Sequence, residues 1–249
     1  GTLIGLDRDP AMLAHAAGRL EAFAPQVELR HASYSELREV LAELSREHVD
    51  RILLDLGLSS DQLADRDRGF GFQTEGPLDL RFDTSQGRPA RQLVEEATAE
   101  ELTAIFEEYG EERFARKIAE HLAARRGERP VRTAADLVEA VAESVPAKFQ
   151  REARKHSATR VFQALRIAVN DELTHLQRAL EEALPRSLAA GGRLVVISFH
   201  SLEDRLVKQA FRDKQRWQNL TPRPVSASAL EIRMNPRSRT AKLRAAART

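Results

Sequence analysis

Apolar positions along the chain fall into two kinds of run. Short, nearly continuous stretches at Leu3 to Leu6, Val27 to His31, Ile52 to Leu56 and Arg193 to Ser198 predict strands, because runs of that length without helical spacing suit a buried sheet. Between them apolar residues recur every three or four positions, as on helices with one buried face. The alternation predicts parallel strands joined by βαβ crossovers in an open α/β sheet. After the third strand the strand signal stops for a long stretch. There Ile105, Phe106, Phe114, Ile118 and Leu122 keep helical spacing, Thr98 with Glu101 and Thr133 with Asp136 read as capping boxes, and Gly110 and Gly127 stand where helices should end. The pattern predicts a sheet domain made from residues 1–82 and 155–249, with a helical domain inserted over 83–154. Before the insertion, Asp65 to Asp83 is rich in glycine and charge and carries Phe70, Phe72 and Phe82, which predicts a long functional loop. After it, Val161, Phe162, Leu165, Ala168, Val169 and Leu173 form a helical stripe, and the adjoining face with Arg160, Gln163 and Asn170 is either solvated or a substrate surface.

The strand ends carry the candidate chemistry. The run Arg51 to Gln62 is apolar until it meets Asp55, Gly57, Ser59, Ser60, Asp61 and Gln62, and ligands of open α/β sheets sit beyond the carboxyl ends of strands. A carboxylate ending an apolar strand needs a partner, which a ligand amine or a cationic sulfur would provide. Leu3 to Leu6 likewise runs into Asp7, Arg8, Asp9 and Pro10. Asp9 is the better placed helix cap, which leaves Asp7 for ribose hydroxyls. Tyr34 follows the Val27 to His31 strand, where it either stacks on a base or packs into the core. The Arg193 to Ser198 strand exits into Phe199, His200, Ser201, Leu202, Glu203 and Asp204.

Composition narrows the options. A chain of 249 residues is long enough to bury roughly three quarters of its unfolded surface. It has no cysteine, so thiol nucleophiles, disulfides and cysteine-held zinc are excluded; the seven histidines show no metal-ligand spacing, and a metal is not expected. No apolar run is long enough to span a bilayer, and no signal peptide pattern is present. Net charge is only +1, but it is unevenly placed: from Arg205 onward the basic residues are opposed by Asp213 and Glu231 alone, and Lys148, Arg151, Arg154, Lys155 and Arg160 form a second cluster. Both are candidate phosphate contacts, with a solvated surface as the bland alternative. Hydrolase elbows, phosphate-binding P-loops and HExxH motifs are missing.

Several blocks taken together resemble the RsmH (MraW) family of S-adenosylmethionine-dependent methyltransferases. They are Gly5-Leu6-Asp7-Arg8-Asp9-Pro10, Leu53-Leu54-Asp55-Leu56-Gly57-Leu58-Ser59-Ser60, Arg68-Gly69-Phe70-Gly71-Phe72, Gly76-Pro77-Leu78-Asp79-Leu80-Arg81 and Tyr109-Gly110-Glu111-Glu112-Arg113-Phe114-Ala115. Ala158 to Ile167, Ile197 to Arg205 and Asn235 to Arg239 continue the match. The resemblance implies a Rossmann-like class I methyltransferase sheet, S-adenosylmethionine as cofactor, and methylation of the exocyclic N4 amine of a cytosine in 16S ribosomal RNA of the bacterial small subunit. It implies a cytoplasmic protein without membrane or metal, with a homodimer left open. Asp7, Tyr34, Asp55 and Gln62 match cofactor positions. Asp55, Ser59, Ser60 and His200 are the catalytic candidates, and Phe70, Phe72, Arg160, Asn170, Ser198 and Asp204 the substrate candidates. Ser157 and Asp61 replace prolines usual in the family. The family's first strand and its Gly-Gly-His loop have no counterpart, so the neighbouring strands are expected to have open edges, and the chain alone to bind cofactor weakly, to aggregate and to be inactive. A non-catalytic RNA-binding module and, more remotely, an NAD-dependent oxidoreductase are the competing readings.

Overall fold

The computed structural model describes residues 1–71, 76–149 and 156–249; Phe72, Arg151, Arg154 and Lys155 lie outside the described residues. The chain forms two compact units, one of Gly1–Gly57 with Leu173–Thr249 and one of Leu58–Glu172.

In the first unit, strands β1 (Leu3–Asp7) and β2 (Val27–His31) pair in parallel across the helix Pro10–Arg19. Asp9 caps that helix, its Oδ1 accepting from Ala11 N at 3.0 Å, and Pro10 sits in the first turn, where a missing N–H leaves nothing unpaired. Gly5 lets the two strands approach: a Cβ there would lie 2.7 Å from Leu29 Cδ2. A second sheet has the order β3 (Val49–Asp55), β4 (Leu188–Ser198), β7 (Lys242–Arg248), β5 (Trp217–Asn219), with the short β6 (Val225–Ser226) also pairing β7. β3 and β4 are parallel, as the crossover pattern predicts. Leu194 and Val196 of β4 and Ala246 of β7 are buried with Leu176, Leu180, Phe211 and Trp217 in one core.

Two expectations need correction. The sheet is not parallel throughout, because β7 runs antiparallel to β4 and to β5. β5 therefore runs in the direction of β4, as a crossover through the helix Ser201–Ala210 requires, and β7 slots between them in the opposite sense. Nor is the strand ending at Asp55 buried along its length. Only Leu54 of β3 is buried, and Leu53 is 64% exposed, since among the described residues β3 pairs on one side only. β1 likewise has β2 as its single partner there.

An ion pair fixes β7. Arg244 and Asp204 are 5% and 8% exposed, with Nε donating to Oδ1 at 2.7 Å and Nη2 to Oδ2 at 3.2 Å, and Lys242 Nζ donates to Oδ2 at 3.2 Å. Burial alone would push the Asp204 carboxyl up, but the hydrogen bonds from Arg244 and Lys242 outweigh it and hold the group below its usual range.

The second unit is helical. Thr98 and Thr133 cap the helices Ala99–Glu108 and Ala134–Ser144 in reciprocal boxes with Glu101 and Asp136, as the sequence predicts. With Ala90–Glu96, Ala115–Arg125 and His156–Asn170 they enclose a core in which Leu102, Phe106, Ile118, Leu137 and Leu165 have no exposed surface. Each such side chain contributes roughly 1.5–3 kcal/mol by burial. That core also takes in Phe70, Leu78, Leu80 and Val161, so it reaches past both ends of the expected 83–154 insertion. The described residues of the loop Asp65 to Asp83 are irregular as expected yet packed, because Phe70, Leu78 and Leu80 belong to this core and Phe82 packs against it.

Removing one member of the buried pair leaves the other charge unsatisfied, which costs roughly 3–5 kcal/mol. Asp204→Ala should therefore lose about that much stability in urea unfolding at pH 7. The folded carboxyl titrates below its ordinary 3.8, so the pair's contribution is complete above that pH and disappears as pH falls through the lowered value. Parent and variant unfolding curves should converge in strong acid; a gap that stays constant with pH would assign the loss to packing instead.

Candidate active site at the strand ends

The first unit gathers the carboxyl ends of β1, β3 and β4. Asp7 closes β1. Its Oδ1 accepts from Asp9 N at 2.8 Å, which turns the carboxylate across the start of the helix Pro10–Arg19. Burial pushes the Asp7 carboxyl up, against the lowering effect of the Asp9 amide. Asp55 closes β3 opposite Ile197 of β4; its carboxylate makes no hydrogen bond or ion pair to any described residue, and desolvation pushes it up as well. A raised carboxyl facing no internal cation is a group disposed to meet one from outside. Tyr34 follows β2 on a turn of 3₁₀ helix (Tyr34–Glu36) and packs half-buried against the core that holds Leu37 and Leu54. The adjoining Ser33 and Ser35 are buried and converge on His175, whose Nδ1 lies 2.8 Å from Ser35 Oγ and 3.3 Å from Ser33 Oγ. Nothing local in the sequence pairs His175 with that turn.

At the end of β4 the candidates are held in place by one residue that the sequence reading passed over. Glu203 Oε2 accepts from Phe199 N at 2.8 Å and His200 N at 3.3 Å, and Glu203 N donates to His200 Nδ1 at 3.4 Å. With Nδ1 accepting, the proton of a neutral His200 sits on Nε2, 3.1 Å from Glu203 Oε1. The spacing of His200 to Glu203 is that of a capping box, and that was the signal available in the sequence. Ser198 is buried, its Oγ 3.4 Å from Lys242 O. Asp204, read as a substrate contact, has its carboxylate committed to Arg244 and Lys242.

The remaining candidates belong to the helical unit. Ser59 and Gln62 form a capping box for the helix Ser60–Ala64: Ser59 Oγ accepts from Gln62 N, and Gln62 Oε1 from Ser59 N, both at 3.0 Å. Polar groups read as cofactor and catalytic contacts thus also start a helix. Ser60 is exposed at its first position. Phe70 is buried against Phe82, with ring centroids 6.1 Å apart. Asn170 clamps the same loop, its Nδ2 donating to Leu80 O and its Oδ1 accepting from Phe82 N, both at 2.7 Å. The clamp supports Leu80 at φ +62°, a left-handed conformation that a leucine adopts only when its surroundings hold it. Arg160 keeps an exposed side chain that reaches the buried Glu112 at 3.4 Å. Among the described residues no three His, Asp or Glu side chains converge in a way that could hold a metal, and no helix is long and apolar enough to cross a membrane.

Two features fit a nucleoside-bearing cation: the Asp7 carboxylate is held at the end of β1 by the Asp9 and Arg8 amides, and the Asp55 carboxylate has no hydrogen-bond or ion-pair partner among the described residues. A protein of Thermotoga neapolitana named Ribosomal RNA small subunit methyltransferase H is 48% identical over 245 residues, covering 98% of this chain and 81% of the relative. Proteins of the same name from Thermomicrobium roseum and Cutibacterium acnes are 47% and 43% identical, covering 100% and 97% of this chain and 80% and 77% of themselves. The model of the MraW methylase family matches residues 1–249, and with that coverage and these identities the chain belongs to the MraW methylase family.

Proposed function

We propose that the protein transfers a methyl group from S-adenosylmethionine to the exocyclic N4 amine of a cytosine in small-subunit (16S) ribosomal RNA, in the cytoplasm. The observation that carries this reading is the pair of carboxylates, Asp7 and Asp55, raised by desolvation at the ends of two strands of one compact unit. S-adenosylmethionine, when bound, supplies a methyl group made electrophilic by a cationic sulfur. Asp7 accepts hydrogen bonds from the ribose hydroxyls, and Tyr34 offers a ring to the adenine. Asp55 faces positive charge and accepts a hydrogen bond from the cytosine amine. That bond would localise the nitrogen lone pair, which is otherwise delocalised into the ring; as nitrogen gains the methyl group the sulfur would leave as a neutral thioether and the amine would release one proton to a carboxylate or to water. Glu203 holds His200 and the turn after β4 in one orientation. Such an amine is out of reach in a stacked duplex, so the base is presented unpaired or flipped.

A purely RNA-binding module accounts less well for these residues, since carboxylates that no described cation neutralises repel phosphate. An oxidoreductase has no support from the family match. The helical insertion expected over 83–154 remains part of the proposal, with the Asp65 to Asp83 loop and the helix His156–Asn170 sharing its core. The RNA is held by the exposed cations of the C-terminal segment, Arg237 and Arg239 among them. Arg244 is excluded from that role by its ion pair with Asp204.

Asp7→Ala should weaken S-adenosylmethionine binding roughly tenfold in calorimetry, the value of one charge-assisted hydrogen bond. Asp7→Asn should lose affinity as well while melting no lower than the parent at pH 7. A carboxyl raised above 3.8 is a charge that folding disfavours, so removing it does not destabilise the unliganded protein. For the same reason parent affinity should decline on acidification at a higher pH than an ordinary aspartate would give. Full affinity in both variants would remove Asp7 from the site.

Replacing Arg237 and Arg239 together by alanine should lower the slope of log affinity for single-stranded RNA against log salt by about 1.4, the effect of two lost phosphate contacts. Cofactor affinity should not change. An unaltered slope would place both arginines on a solvated face.

A further inference from the structure

The turn that carries Tyr34 is tied down at both ends, and one of the ties comes from far along the chain. At its start Ala32 N donates to Asp7 O at 3.1 Å, and His31 Nε2 lies 2.9 Å from Arg8 O, which joins the exit of β2 to the exit of β1. Within it Ser33 N donates to Glu36 Oε2 at 2.7 Å and Ser33 Oγ accepts from Ser35 N at 3.2 Å, so neighbouring residues alone close one turn of 3₁₀ helix. Such a turn needs no distant partner to form. Yet Ser35 Oγ lies 3.0 Å from Ser33 Oγ, and His175 Nδ1, 140 positions from Ser35, reaches both hydroxyls, at 2.8 Å and 3.3 Å. The two serines are buried and flank Tyr34 in sequence. His175 stands on the helix Glu172–Arg178, whose Leu176 shares a core with Leu37, the residue after the turn, and it belongs with Tyr34 to the first unit. The imidazole thus acts on where the turn stands rather than on whether it closes.

We propose that His175 is a positioning residue for the adenosine end of the cofactor site: by gripping Ser33 and Ser35 it holds Tyr34 at a set place relative to Asp7. The inference rests on the reading above, in which Asp7 meets the ribose and Tyr34 the adenine, and adds the residue that keeps those two contacts in register. Ribose and adenine are joined by a single bond, so an acceptor for one and a ring for the other serve together only at a fixed spacing. A turn left loose would have to be ordered as the ligand arrives, and that ordering is subtracted from affinity. The bond from Ala32 to Asp7 fixes the near end of the segment and His175 fixes the far end, so the segment is ordered in advance.

The test is calorimetry of S-adenosylmethionine binding to the 249-residue chain and to His175→Ala, His175→Asn, Tyr34→Ala and the double variant His175→Ala with Tyr34→Ala, each with a melting curve. His175→Ala should bind about threefold to tenfold more weakly, the worth of one hydrogen bond between uncharged groups. Ser35→Ala removes the same contact from the side of the turn, should lose as much, and serves if His175→Ala does not fold. His175→Asn places an amide nitrogen where Nδ1 stands and should recover most of the loss. With Tyr34→Ala already present, removing His175 should cost no further affinity, because residues that act through one contact are not additive. An equal loss in both backgrounds would mark a histidine that only supports the fold and would overturn the proposal, as would parental affinity in folded His175→Ala or no recovery in His175→Asn. A parent that binds no S-adenosylmethionine, or full affinity in Tyr34→Ala, would overturn the reading of the site itself; weakened binding in Tyr34→Ala with parental affinity in His175→Ala would overturn the role of His175 alone.

Discussion

The pairing of β4 with β3 on one side and β7 on the other organises the first unit. It buries Leu194 and Val196, sets the level at which Asp55 and Ser198 emerge, and provides the floor on which the helix Ser201–Ala210 lies. The antiparallel partner brings Arg244 beneath that helix, where it meets Asp204, and so ties the strand exit to the sheet from below while Glu203 ties it from above. Two consecutive acidic residues, 203 and 204, do different work because successive positions on a helix point about a quarter turn apart. One orders a turn that carries His200; the other neutralises a buried cation.

The chemistry we propose falls to residues desolvated at the strand ends. Asp7 and Asp55 stand out because other polar candidates are satisfied within their own units: Asp9 caps a helix and Asp204 is ion-paired in the first, and Ser59 and Gln62 cap a helix and Asn170 clamps a loop in the second. A carboxylate desolvated at the end of a strand lowers the stability of the empty protein, and in the proposed function a bound cation or hydroxyl pair relieves that cost. Binding free energy and folding free energy are in this way exchanged at the same two side chains.

Much of this was legible in the residues. The strands ending at Asp7, His31, Asp55 and Ser198 announced themselves as apolar runs, and Thr98-x-x-Glu101 and Thr133-x-x-Asp136 gave two helix starts, because capping depends on a few neighbouring positions. β7 was not legible. Lys242-Leu243-Arg244-Ala245-Ala246-Ala247-Arg248 has no apolar alternation, its alanines have low strand propensity, and its arginines read as part of a basic tail, although Arg244 points inward to a partner forty positions away. The run Ser59-Ser60-Asp61-Gln62 read as site chemistry where the fold also uses it as a helix cap, since a hydroxyl followed three residues later by an amide suits either role. Phe70 is similar: an aromatic in a glycine-rich loop looked available, and its side chain is buried in the helical core.

The interior position of β7 has a consequence for biosynthesis. Residues 58–172 make a continuous stretch of chain that forms one unit, and all of it has been translated long before the second sheet can close. β4 emerges next with one ready neighbour, β3, and must wait until translation has passed Arg248 for the other. During that interval the apolar edge of β4 is open while a finished helical unit already hangs from the same chain. Slow translation or premature termination between Ser198 and Lys242 would thus leave a nascent polypeptide with one half folded and the other presenting a bare strand, the form that chaperones and proteases recognise.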